Sequence, residues 1–151
     1  MKKLILLGVG GSTSSGKTTL SKNLLKILPK STFLIHQDDF APPSSLLPLD
    51  ENGLPNWDDP DHSIDWTMLE NTLRYVKKFG ELPSTHKSHD HLNPESQSTL
   101  ISPYLNDVEM DMKKKFEESL PFLYESDDYQ FVILDGFLCY YNEVCLFRHR
   151  Q

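Results

Sequence analysis

The strongest constraint on this chain's fold lies at its start. Leu4 to Val9 (LILLGV) is a continuous apolar run, and GGSTSSGKTTL follows it directly. A run that is apolar at every position, not every second one, suits a strand covered on both faces. Gly11, four further residues, Gly16, Lys17 and Thr18 then satisfy G-x-x-x-x-G-K-S/T. From Lys17 to Leu28 the apolar residues return at helical spacing. Leu20, Leu24, Ile27 and Leu28 share one side, and Pro29 is the stop. Strand, glycine loop and helix in this order form a cradle for an anion. The glycines allow backbone angles that turn successive amides inward and let the chain approach closely. The helix points its positive end at the same place. Lys17 adds a cation for the outer phosphates of a nucleotide, and the Thr18 hydroxyl suits magnesium. A flexible Gly/Ser linker would not explain the lysine at the helix start. A dinucleotide fingerprint begins at Gly8 and Gly10 but fails because residue 13 is Thr.

The rest of the chain extends this unit into one domain over residues 1–151. Thr32 to His36 reads as a second short strand, which makes a βαβ unit and predicts an α/β fold with a parallel sheet and flanking helices. Gln37 to Ser63 is irregular and carries Pro42, Pro43, Pro48, Pro55 and Pro60. A loop of that length inside a compact domain is usually functional. Asp65 to Phe79 reads as an amphipathic helix, with Leu69, Leu73 and Val76 on one face and Gly80 as its stop. Glu81 to Leu105 is polar and reads as loop. Asn106 to Leu120 is a charged helix whose inner face is expected to be Val108, Met112, Phe116 and Leu120, with Lys113, Lys114 and Lys115 as its solvated side. Phe131 to Leu134 is a further buried strand that ends at Asp135-Gly136.

Composition narrows the partners. A net charge of −7 is a poor electrostatic footprint for nucleic acid or an anionic membrane. No run is long enough to span a bilayer. MKKLILLGVGG imitates a secretory leader, but glycine-rich polar sequence with Lys17 follows at once, so a buried first strand is the better reading. Cys139 and Cys145 are too far apart for a C-x-x-C pair and fit a reducing compartment. The expected location is the cytoplasm, with the nucleus second. The expected state is a monomer or a weak homo-oligomer.

Three carboxylates stand where strands end. Asp38 and Asp39 follow the second strand in IHQDDF, and Asp135 follows the later one in FVILDGF. In open parallel sheets ligands bind beyond the carboxyl ends of the strands, which puts these groups on the same edge as the glycine loop. A carboxylate there can take the proton of an attacking hydroxyl or hold Mg²⁺. Alone, either of the first two is as readily a turn residue. In NWDDPDHSIDW, Trp57 lies in the loop and can stack on a flat heterocycle, and Asp58 can bind ribose hydroxyls. Trp66 begins a helix and reads as core. His86, His89 and His91 in THKSHDH invite a zinc site, but no cysteine lies near them and a solvated loop is the expectation.

GGSTSSGKTTLSKNL, IHQDDF, NWDDPD and FVILDGFL occur in an order that resembles the nicotinamide riboside kinases, especially the fungal ones. These sit in the uridine kinase-like branch of phosphate-loop kinases, and the resemblance covers nearly the whole chain up to Phe137. It implies transfer of the γ-phosphate of ATP, with Mg²⁺, to the 5′-hydroxyl of nicotinamide riboside in NAD synthesis. It implies that Gly11, Ser12, Thr13, Ser14, Ser15, Gly16, Lys17, Thr18 and Thr19 hold the ATP phosphates. Asp38 falls on the catalytic base, and Lys17 would offset charge on the phosphates. Asp38, Asp39, Phe40, Ala41, Trp57 and Asp58 would line the riboside site, and Thr18, Asp38 and Asp135 the metal. Ala41 stands where the family often has a larger residue. Nothing after Asn142 resembles the family's next strand and arginine-bearing lid, and Arg148 and Arg150 take no lid role. The implied fold is therefore incomplete at the C-terminus. The rivals are a uridine/cytidine kinase and a non-catalytic nucleotide-binding remnant. A signalling GTPase is disfavoured because no NKxD motif is present.

Overall fold

A computed structural model describes residues 3–88 and 103–141. Its elements run β1 (Lys3–Gly10), α1 (Lys17–Ile27), β2 (Phe33–His36), α2 (Trp66–Phe79), α3 (Pro103–Ser119), α4 (Pro121–Glu125) and β3 (Tyr129–Gly136). The strands form one parallel sheet in the order β1-β3-β2. The α/β class and the parallel sheet expected from the βαβ pattern are both present.

The central strand explains its own sequence. Flanked by a strand on each side, β3 needs helices over both faces, and its side chains divide accordingly. Val132 and Leu134 join Ile35, Phe40, Ile64, Leu69, Leu73 and Val76 in one core. Phe131 and Ile133 join Leu28 and Leu123 in the other, against Leu24, Leu25, Phe116 and Leu120. Thus α2 covers one face, and α1, α3 and α4 cover the other. Burial on both sides is why this run is apolar at every residue.

The ends of α2 follow ordinary capping chemistry. The Asp65 carboxylate accepts from the Met68 amide at 2.8 Å, and Gly80 closes the helix at φ 72°. A left-handed backbone there costs glycine little. Among the described residues, no helix is long and apolar enough to cross a membrane.

Several expectations need correction. Leu20 is 52% exposed rather than on the buried side of α1, because the face turned to the sheet passes through Ser21, Leu24, Leu25 and Leu28. On α3, Val108 and Met112 are 43% and 50% exposed. The inward side is rotated toward Glu109, which takes an ion pair from Lys26 of α1 at 2.7 Å, while Phe116 and Leu120 do face the core. Lys113, Lys114 and Lys115 form the solvated side, in helical pairs with Glu117, Glu118 and Asp111. Asp135 and Gly136 are the last two residues of β3 itself, since the ladder to β1 continues to Gly10–Gly136. The segment after β2 is less irregular than expected. It begins with two 3₁₀ turns, Gln37–Phe40 and Ser44–Leu46, and Leu49 bridges Pro55. The helix α4 was not expected at all. His89, His91, Cys145, Arg148 and Arg150 lie outside the described residues.

Candidate functional site

The parallel register brings the candidate groups to one edge. Val9, Asp135 and His36 lie level across β1, β3 and β2. Just beyond that level come the glycine loop after β1 and the Gln37–Phe40 turn after β2, which carries Asp38 and Asp39.

Two features shape the loop. Gly16 sits at φ 88° immediately before α1, a left-handed conformation that favours glycine. At Gly11 the chain passes close to itself, so an added Cβ would lie 2.9 Å from Ser15 Oγ. Glycine at the N-cap supplies no side-chain acceptor to α1, so the first helical amides stay available to an anion. Lys17 folds back over the loop, and its Nζ donates to the Ser12 carbonyl at 2.7 Å. Thr18 and Thr19 follow in the first turn of α1.

The carboxylates form a charged cluster beside this loop. Burial holds the Asp38 carboxyl above its usual range, and the charge of Asp135 adds to the effect. Lys17 and His36 act in the opposite direction, and Asp39 raises it slightly further. Asp135 is 4% exposed, and its Oδ1 lies 3.0 Å from His36 Nδ1. Its Oδ2 is buried with no hydrogen-bond partner among the described residues. Asp135, with one buried oxygen unpaired and Asp38 nearby, has the chemistry of a hard-cation ligand, but no group of three or more His, Cys, Asp or Glu side chains placed to hold a metal occurs among the described residues. Leaving such an oxygen buried and unpaired is costly, and a cation would remove that cost.

Asp39 faces the other way. Its carboxylate is buried, and His86 Nε2 lies 3.6 Å from Oδ2. The His86 ring stacks on Phe40 with centroids 5.6 Å apart. This corrects the solvated-loop expectation for His86, whose side chain is 7% exposed. Phe40 is itself a core side chain, so its influence on a ligand runs through the position of the turn. Ala41 is exposed just after it.

Trp57 and Asp58 stand apart from this group: among the described residues, neither makes a hydrogen bond or ion pair to Lys17, Asp38 or Asp135. Trp57 is 45% exposed on the loop before α2. The Asn56 side chain accepts from the Asp58 amide at 3.1 Å. Trp66 packs against the core as expected, and its Nε1 donates to the Pro60 carbonyl. Sequence reasoning missed His36, Tyr140 and Tyr141, and placed His86 in a solvated loop. His36 gains significance only from the β2–β3 register, which places it beside Asp135. A clue for the tyrosines was their position directly after the DGF strand end.

A parallel sheet with a strand–glycine loop–helix cradle and acidic strand ends defines the class: an α/β phosphate-loop fold. The particular proteins it is similar to are nicotinamide riboside kinases. The chain is 30% identical to the one from Saccharomyces cerevisiae over 142 residues, which is 93% of this chain and 55% of the relative. It is 31% identical to the one from Schizosaccharomyces pombe over 143 residues, 94% of this chain and 56% of the relative. Against nicotinamide riboside kinase 2 of Mus musculus it is 41% identical over 82 residues, 54% of this chain and 42% of the relative. The chain thus spans about half the length of the curated relatives it matches. No protein-family model matches it.

Proposed function

We propose that the chain carries the phosphate-binding and base-bearing part of an ATP-dependent kinase acting on nicotinamide riboside. Its product would be the mononucleotide used in NAD synthesis. The observation that carries this reading is the convergence of Lys17, Asp38 and Asp135 beside a glycine loop at one sheet edge. The relatives' names direct the choice of acceptor.

In this reading the amides of Gly11 to Thr19 and the start of α1 hold the ATP phosphates, and Lys17 releases the Ser12 carbonyl to reach the outer ones. Asp38 accepts the proton of the 5′-hydroxyl as it attacks in line. Partial desolvation and the nearby Asp135 charge favour that role, because a carboxylate with a raised pKa is a better base near neutral pH. Thr18, Asp38 and Asp135 would hold Mg²⁺, which when bound neutralises charge on the phosphate oxygens. Trp57 offers an exposed ring to the nicotinamide, and Asp58 a carboxylate to the ribose.

The test is a competition assay with purified protein, ATP and Mg²⁺, following ADP and mononucleotide. The expected result is mononucleotide from nicotinamide riboside in preference to uridine. Preferential phosphorylation of uridine or cytidine would overturn the acceptor. ATP binding without turnover of any riboside would overturn the kinase reading for this chain.

A further inference from the structure

The turn after β3 ends in two adjacent tyrosines, Tyr140 and Tyr141, that hold opposite ends of the candidate site. The Tyr140 hydroxyl donates to the Gly8 carbonyl at 2.9 Å. Its ring lies over the last residues of β1, so close that a Cβ on Gly10 would come 2.5 Å from it. The missing side chain of Gly10 therefore makes room for this ring at the entry to the phosphate loop.

Tyr141 reaches the other way. Its hydroxyl donates to Asp61 Oδ1 at 2.9 Å, and its ring lies 6.0 Å from that of Trp66. Trp66 in turn holds the Pro60 carbonyl at 2.9 Å. Asp59 organises the same short turn by accepting from the Asp61 amide at 3.0 Å. On the preceding side, the Asp50 carboxylate ties the hairpin by accepting from the Asn52 and Leu54 amides. Trp57 and Asp58 thus sit between two tethered stretches, and Tyr141 supplies a tether from outside the loop.

We propose that Tyr140 and Tyr141 form a clasp that fixes the riboside-side loop, residues 56–61, relative to the phosphate loop, and that Tyr141 is a positioning residue acting through Asp61. The two grips are coupled because the residues are consecutive and share one peptide unit. This rests on the kinase reading for its role in turnover, but the clasp itself does not. Phosphoryl transfer depends mainly on placing the acceptor in line with the phosphate, so a loosened loop weakens use of the riboside.

The test uses the 151-residue chain and the variants Tyr141→Phe, Asp61→Ala and Asp61→Asn. Tyr141→Phe keeps the ring and removes one hydrogen bond. Asp61→Asn keeps an acceptor oxygen, so it should behave like the parent. The expected result is a riboside KM raised about fivefold in Tyr141→Phe and Asp61→Ala, with kcat and the ATP KM unchanged. Combining the two should add nothing, because they break the same bond. Amide hydrogen exchange without substrate provides a readout independent of activity. Exchange over residues 56–63 should speed up in both variants, while that of residues 131–134 stays as in the parent. Unchanged exchange in the loop, additive effects of the pair, or an equal rise in β3 would overturn the proposal. If the parent phosphorylates no riboside, the kinase reading fails, and the exchange measurements alone decide the clasp.

Discussion

Replacing Gly136 with alanine tests how tightly the sheet edge sets the position of Asp38. Gly136 closes β3 opposite Gly10, and Gln37, the first residue of the Asp38 turn, packs over it. Gln37 is fully buried, and its Oε1 accepts from the Leu138 amide at 2.9 Å. A Cβ at position 136 would lie 2.7 Å from Gln37 Cδ and closer still to its Cβ and Oε1. Carbon atoms pack at about 3.5–4.0 Å, so the two groups must part by roughly 1 Å. Rotating the glutamine cannot relieve an overlap that begins at its Cβ, so the turn itself has to shift. Overpacking of this kind costs about 1–3 kcal/mol, and losing the Leu138 hydrogen bond adds about 1 kcal/mol. At about 2–4 °C per kcal/mol for a chain of this size, Gly136→Ala should melt roughly 4–16 °C lower. A displacement near 1 Å at the base should also cost about a hundredfold in turnover. Calorimetric melts and ADP release measure the two effects. The reasoning is refuted if the variant melts with the parent. It is also refuted if adding Gln37→Ala fully restores stability, since alanine retains the offending Cβ.

Asp38→Asn should separate stability from catalysis. The folded protein holds the Asp38 proton more tightly than the unfolded chain does, so this group's stabilising contribution is complete below its ordinary value of 3.8 and is lost as pH rises through the raised value. The variant should therefore melt higher than the parent at neutral pH, lose that advantage below about pH 3.8, and turn over about 10²–10⁴ times more slowly. Equal melting at neutral pH would refute the assigned burial effect. Lys17→Ala should weaken ATP binding about tenfold or more in a fluorescent-nucleotide titration, with a melt within about 1 kcal/mol of the parent, because Nζ holds an exposed loop carbonyl and offsets part of the Asp38 charge. Asp65→Ala removes the α2 cap and should cost about 1 kcal/mol, or about 2–4 °C, in the same melts.

The parts of this protein that the sequence declares are those set by local pattern. The apolar runs at Leu4–Val9 and Phe131–Leu134, the glycine loop, and the stop of α2 at Gly80 each stand where nearest-neighbour physics puts them. What stayed hidden depends on register or on facing elements. The Glu109 side of α3 faces inward because Lys26 lies opposite, a fact that no helical wheel contains. His36 reads as the end of a short strand until the β2–β3 pairing sets it beside Asp135. His86 sits in a polar stretch whose composition suggests solvent, yet it is drawn inward by Asp39 and the Phe40 ring.

The strand order has a consequence for how the chain comes into being. The two strands nearest the N-terminus never touch one another, and each is zipped to a strand that is translated last of the three: Lys3 meets Tyr129, and Phe33 meets Val132. A nascent chain leaving the ribosome therefore carries the apolar stretches of β1 and β2 with nothing to pair them until Gly136 has emerged. Long-range parallel pairing of this kind folds slowly and leaves sticky segments open meanwhile. Synthesis stalled before that point would yield material that depends on chaperones, with the phosphate cradle already encoded but no sheet to hold it.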